Sequence, residues 1–297
     1  MILIYILFLF GVIFSQFPYE YKLSEVSTLK RFEMNSEEGL SSNAIMSIRP
    51  VDDQLIFLGT VAGLGYGKIS SQFDIQYKHF THSELPLGGN PALSIGHGII
   101  AVSGVIDTSV FTGSEPKGTG ISFSKNDGED WIFSPQPVDP MPHSSADGYQ
   151  TISWGGQDIS TLAVTTDIDN VTYDIAIGEK YIYTANWAGG IRRYYHLPSA
   201  NETRTWEIVP LPQDYELELE CGNIDIEKYE VNPKDPVDGG NHNHKGFGVY
   251  VVEDTLWVGT AAGINKGIIN GECINWKNHY QTGLDNISGN WVIGFTH

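Results

Sequence analysis

The sequence predicts an all-β chain in which one structural unit is used repeatedly, and three observations carry this reading. First, Leu55-Ile-Phe-Leu-Gly-Thr-Val-Ala-Gly-Leu64 returns about 200 residues later as Leu256-Trp-Val-Gly-Thr-Ala-Ala-Gly-Ile264. A looser copy, Tyr181-Ile-Tyr-Thr-Ala-Asn-Trp-Ala-Gly-Gly-Ile191, has Ala185-Asn186 where Gly-Thr would stand and keeps the Gly-Gly-Ile exit. Recurrence of this kind marks a repeat architecture. Second, 33 Gly, 14 Pro, 7 Trp, 15 Tyr and 13 Phe in 297 residues describe short strands joined by tight turns. Third, outside the extreme N-terminus no apolar period of 3.6 residues persists beyond about three turns.

The chain opens with an uncharged apolar run, Met1–Phe14, followed by the polar Ser15-Gln16. This reads as a secretory signal peptide over residues 1–16, with an uncleaved anchor as the alternative. About 14 apolar residues are short for a bilayer span, which needs about 20. Residues 17–38 are a polar lead-in without a period. The first unit begins at Gly39-Leu-Ser-Ser-Asn43, runs into a strand with Ala44, Met46 and Ile48 on one face, turns at Asp52-Asp53 and continues through Leu55–Leu64.

A second unit spans about Ala92 to Phe133. Its buried strand is Ile99–Ser103, and Thr119–Ser124 leads into the turn Lys125-Asn-Asp-Gly-Glu-Asp-Trp131. A Pro-rich loop follows (134–148), then two further strands at Tyr149–Trp154 and Ser160–Thr165. The third clear repeat covers Val171 to Val209. Residues 210–244 are rich in Pro, Asp, Glu and Asn and read as an excursion between units, where long loops often carry function. The next unit is Gly246 to about Tyr280. At Gly283 the Gly39-Leu40 pattern restarts and its completing strands do not follow.

These features predict a β-propeller of four-stranded blades over residues 17–297, with about five blades and a stub. The ring is expected to be incomplete at its C-terminal side and the chain to be a fragment of a longer reading frame.

Gly39-Leu-Ser-Ser-Asn-Ala-Ile-Met-Ser-Ile48 followed by Leu55–Leu64, and again Leu256–Ile264, resembles the bacterial propeller repeats in the sensor regions of two-component regulators. Ser124-x-Asn126-x-Gly128-x-x-Trp131 resembles the Asp-box of sialidase-type repeats, with Asn126 in place of the usual Asp. The first resemblance implies an exported or cell-surface bacterial propeller. The second implies a structural turn, not catalysis.

Formal charge is −19, from 17 basic and 36 acidic residues. Such a surface repels phosphate, so neither nucleic acid nor anionic membrane is an expected partner, and the export signal is the one expected membrane contact. The two cysteines, Cys221 and Cys273, either pair or remain free thiols. Paired, they would close a loop of about 50 residues, worth roughly 3–4 kcal/mol.

Several constellations are candidate sites. His242 and His244, two apart, would share a face of an extended backbone and could ligate one metal, with Asp235 and Asp238 nearby in sequence. Asp167 and Asp169, with Asn170, place oxygens at alternate positions as calcium ligands do, and Asp225 with Glu227 offers a second such pair. Neither matches a helix-flanked calcium loop. Calcium is thus the one cofactor considered, and the chain is otherwise read as needing none. Among the tryptophans, Trp257 and Trp291 occupy strand positions expected in the core, and Trp154 lies in a strand. Trp187, in the Asn186-Trp-Ala-Gly-Gly190 turn, is the candidate for contact with a ligand.

A sialidase would need an arginine cluster and a tyrosine nucleophile. The five arginines (Arg31, Arg49, Arg192, Arg193, Arg204) are scattered, and no nucleophile elbow or phosphate loop is present. Function is therefore expected to be non-catalytic binding of a glycan or a protein. A secreted sialidase-like hydrolase is the second reading.

Overall fold

The computed structural model describes residues 36–71, 74–140, 148–198, 205–229, 240–283 and 287–296. The apolar N-terminal run, Arg31, Arg204, Asp235 and Asp238 lie outside them. The architecture is all-β and antiparallel. One sheet has the order β1-β5-β4-β3-β2, from β1 (Ser36–Glu38), β2 (Ile45–Pro50), β3 (Leu55–Thr60), β4 (Gly63–Ser71) and β5 (Asp74–Phe80). A second is β6 (Leu93–Gly96), β7 (Ile99–Val110), β8 (Gly113–Ser124) and β9 (Ile132–Ser134), in sequence order. A hairpin of β10 (Tyr149–Trp154) and β11 (Gln157–Leu162) precedes the third, formed by β12 (Thr172–Ile177), β13 (Tyr181–Asn186), β14 (Gly190–Tyr195) and β15 (Glu207–Ile208). The fourth is β16 (Gly246–Val252), β17 (Thr255–Thr260), β18 (Gly263–Asn270) and β19 (Cys273–Tyr280). Among the described residues the five units expected correspond to four meanders and a two-stranded hairpin. The segment read as a shapeless lead-in supplies β1, which pairs with the outer strand β5.

The Gly-Thr repeat has one physical role in both copies. Each strand ends in a buried threonine whose hydroxyl accepts the N–H two residues on (Ala62 or Ala262, 3.1 Å). The same hydroxyl donates to the carbonyl of Gly63 (2.8 Å) or Gly263 (3.3 Å). These glycines have φ of +130° and +135°, a backbone that disfavours any side chain. The preceding Gly59 and Gly259 face the segment leading away from their own sheet. A Cβ there would collide with the carbonyl oxygen of Asn90 or of Val292, beside the bonds Asn90 N–H to Thr60 O (2.8 Å) and Val292 N–H to Thr260 O (3.1 Å). In the third copy Asn186 replaces threonine and donates its amide to Gly190 O (3.0 Å). Its Oδ1 accepts from Thr172 Oγ1 at 2.6 Å.

The Asp-box-like segment forms the turn between β8 and β9. Ser124 Oγ accepts from Gly128 N–H at 2.8 Å, Asn126 Oδ1 accepts from Asp130 N–H at 2.9 Å, and Trp131 Nε1–H donates to Gly128 O at 3.0 Å. Asp127 and Gly128 turn the chain with φ of +58° and +86°. Trp131 then packs edge-on against Phe80 of the neighbouring sheet, 5.7 Å between ring centres.

Successive sheets pack face to face, with one apolar layer at each junction. Phe57, Leu64, Tyr66 and Phe80 meet Leu93, Ile100, Val102 and Trp131. Ile99, Ile121 and Phe123 meet Ile175, Ile177 and Ile182. Tyr181, Tyr183 and Ile191 meet Val249, Leu256 and Trp276, a layer that Trp154 and Ile159 of the hairpin extend. The edge strands β2, β6, β12 and β16 lie against one another in sequence order. Asp174 on β12 accepts N–H bonds from Ile175 and from Val249 on β16, both at 3.0 Å, and pairs with Arg49 on β2 at 3.3 Å. Strand β2 has little cover on its outer side, so Met46 and Ile48, expected on one apolar face, are exposed.

Cys221 and Cys273 are joined by a disulfide, Cα atoms 5.6 Å apart. It fastens the 210–229 excursion to β19, beside the reciprocal backbone pairing of Leu219 and Trp276 (3.1 and 2.9 Å) and the Trp276 Nε1–H bond to Pro210 O (2.7 Å). Closing a loop with a sequence separation of 52 residues removes unfolded-state entropy worth about 4 kcal/mol. Replacing both cysteines by serine should lower the free energy of unfolding by about 2–5 kcal/mol in urea titrations, and unreduced native protein should show no reactive thiol.

Candidate functional site

At the end of the sheets where the Gly-Thr turns lie, an aromatic cluster gathers side chains from separate elements. Trp187 sits in the β13–β14 turn, its N–H bonded to Val171 O at 3.1 Å. Its ring lies 5.1 Å from Phe247 at the start of β16 and 5.9 Å from Trp291. Phe247 and Trp291 are 5.4 Å apart, and Tyr173 at the start of β12 adds a fourth ring 5.7 Å from Phe247. The Lys245 ammonium lies 5.5 Å from the centre of the Trp187 ring, within cation–π range. Trp291 is 66% exposed and Tyr173 41%, whereas Phe247 is buried and Trp187 is half-buried.

Trp291, expected in the core, is therefore a surface residue. It lies in no strand among the described residues, because the segment from 287 runs beside Gly259 without adding a strand. Trp257 is half-buried with the Lys266 ammonium 5.3 Å from its ring, rather than core. Trp154 is buried, with the Arg193 guanidinium 4.4 Å from its ring centre.

A buried polar network holds the Trp187 turn from behind. Asn170 accepts Gly189 N–H at 2.9 Å and donates to Pro137 O at 2.7 Å. Arg192 donates through Nε to Gly189 O at 2.8 Å and through Nη2 to Asp139 at 2.9 Å, an ion pair almost wholly removed from solvent. The other Asp139 oxygen accepts Thr165 N–H at 2.9 Å. Burial alone would raise the Asp139 carboxyl, but the Arg192 charge and these bonds hold it below the usual carboxylate range. With both carboxylate oxygens satisfied, the pair fixes the 134–140 loop against β14 at the price of desolvation.

His242 and His244 lie on a 3-10 turn, not on extended backbone. Two residues at three per turn are about 240° apart, so the shared face expected of them does not form. The Asp214 carboxylate caps this turn, accepting N–H bonds from His242 (2.9 Å) and Asn243 (2.7 Å). Asn243 is the buried member, paired amide to amide with Asn265 (2.9 and 2.7 Å). His244 Nε2–H donates to Ala188 O at 3.0 Å, supporting the Trp187 turn. Burial, with the Arg192 charge, pulls its pKa down to about 4, so at neutral pH the ring is uncharged.

Asp167 is ion-paired with Lys117 at 2.7 Å. Asp169, with φ of +54°, lies near Tyr173, whose hydroxyl pKa is raised by burial and then by that charge. Asp225 is bonded to Lys228 at 2.6 Å. Among the described residues no three His, Cys, Asp or Glu side chains converge as a metal site. The arginines are equally dispersed: Arg49 pairs with Asp174, Arg192 with Asp139 and Arg193 with Glu207.

No protein-family model matches the chain. No curated protein matches it either. Among solved structures it is similar to the computationally designed Ika8 protein, with 11% identity over 80% of this chain and 75% of that one and a TM-score of 0.27. That score carries no argument about fold or function.

His244 sets the sign of one pH dependence. Its folded pKa is depressed below the unfolded value near 6.5, so the stability it contributes is complete above about pH 6.5 and is lost as pH falls toward 4. The loss is about 3 kcal/mol at most, and the buried His196 and His279 shift in the same direction. Urea titrations across this window should show stability falling, and His244→Gln should flatten the curve.

Proposed function

We propose that the four sheets are blades of an open β-propeller and that the chain is an exported, non-catalytic module binding glycan through Trp291 and Trp187, which pack on the buried Phe247. The single observation that carries this reading is the cluster itself. Rings from three sequence-distant segments meet over a polar support, an exposed Trp291 and a half-buried Trp187 around a buried Phe247, and exposed rings stack on the apolar face of a sugar while a nearby cation or hydroxyl bonds its oxygens. The convergent edge strands and one apolar layer per junction support the blade assignment. The disulfide supports export to an oxidising compartment. Separate engagement of each described arginine favours binding over a sialidase-like hydrolase.

Screening neutral and uronic-acid oligosaccharides, followed by calorimetry, tests the proposal. Trp291→Ala should weaken binding of the best oligosaccharide at least tenfold, about 1.4 kcal/mol, without a change in melting temperature. Absence of any glycan binding, or undiminished binding by Trp291→Ala, refutes it. Turnover of chromogenic glycosides would favour the hydrolase instead.

A further inference from the structure

The opposite end of the third and fourth sheets carries a separate cavity of about 460 Å³, within the range of small-molecule sites. The strand registers place it away from the aromatic platform: Thr172 pairs with Asn186 at one end of β12 and Ile177 with Ile182 at the other. The cavity lies beside the β12–β13 and β16–β17 turns. Its floor is Tyr181 and Tyr183, with Val251 as an apolar wall. Glu179, Glu253 and Asp254 contribute three exposed carboxylates to its lining, against the Lys180 ammonium; the Arg193 guanidinium, 4.4 Å from the Tyr181 ring centre, is paired with Glu207.

Two features set this cavity apart from a solvated gap between turns. Tyr183 is 2% exposed, lines the cavity, and its hydroxyl makes no hydrogen bond among the described residues. The hydroxyl is not sealed from solvent, so it is available to a polar group of a ligand that enters the cavity. In addition, none of the three carboxylates is in an ion pair among the described residues. Asp254 accepts only a 3.3 Å bond from Thr255 Oγ1.

From this arrangement we infer a second binding site, for a primary or secondary amine in its ammonium form that carries an apolar group. The ammonium sits among the carboxylates, where Coulomb attraction favours a cation. The apolar group lies along Val251 toward Tyr183, whose hydroxyl takes one N–H or a second polar end. An anion is disfavoured by the excess of carboxylates, and a neutral isostere loses the charge term. This inference is independent of glycan binding at the other end.

The test compares 2-phenylethylammonium with its neutral isostere 2-phenylethanol and the anion 3-phenylpropanoate, by ligand-observed NMR and calorimetry on the whole chain. The ammonium should bind saturably with a millimolar dissociation constant or tighter, at least tenfold tighter than the alcohol, and the anion should not bind. The double variant Glu253→Gln, Asp254→Asn should remove this preference, and Tyr183→Phe should weaken binding severalfold, both at unchanged melting temperature. Trp291→Ala should leave amine binding intact. No saturable ammonium binding, equal binding of the alcohol, or an unchanged double variant overturns the inference; the isostere comparison on the native protein decides it even if a variant fails to fold.

Discussion

The structure depends on a close approach of backbone to backbone where one sheet hands the chain to the next. At Gly59 and Gly259 the departing segment lies where a Cβ would be, and a backbone bond from Asn90 or Val292 fixes it there. Any side chain would push the segment outward and lose that bond. The threonine that follows closes the turn with its own hydroxyl, which also meets a polar side chain from outside the turn, Ser41 at Thr60 and Asn243 at Thr260. The third copy reaches the same end with asparagine, whose longer amide spans to both Gly190 and Thr172.

From this geometry the stacking of the sheets follows. With the edge strands brought together, the apolar faces of neighbouring meanders meet and each junction acquires its own core. Asp174 is one of several polar groups buried in this interior. It is buried enough that its carboxyl pKa is raised, yet it is bonded by Val249, Arg49 and Ile175 and so links β2, β12 and β16. Removing its partners would leave a buried polar group unpaired, a larger cost than the bonds themselves return.

The two ends of the strands are chemically unlike, and this difference follows from which residues the turns carry. At one end, turns and strand starts place aromatic rings, the exposed Trp291 among them, over a buried and extensively hydrogen-bonded polar layer. At the other end, hairpin turns carry Glu179, Glu253 and Asp254, and Glu253 adopts φ of +53° because the tight turn demands it. Acidic groups gather there over a tyrosine floor. A net charge of −19 is thus not a uniform solubilising coat at this point of the surface.

The sequence by itself determined the units. Gly-Thr-x-x-Gly recurs because each residue type answers a local requirement: no Cβ at the hand-over, a hydroxyl in the turn, positive φ at its exit. The same local logic made β12–β13–β14, β16–β19 and the Ser124–Trp131 turn legible, and marked Trp187 as a turn residue. What only the tertiary structure decided is which residues from different units meet. Phe247 and Trp291 join Trp187 because β16 packs on β12 and the 287–296 segment follows Gly259, and no period within any one strand encodes that. His242 and His244 diverge because Asp214, 28 residues from His242 in the chain, caps their backbone into a 3-10 turn. Tyr183, packed in the apolar layer between two sheets, also lines a cavity beside turns of both. Local rules are written in single residue types, whereas convergence depends on the distances between sheets, which only the packed chain fixes.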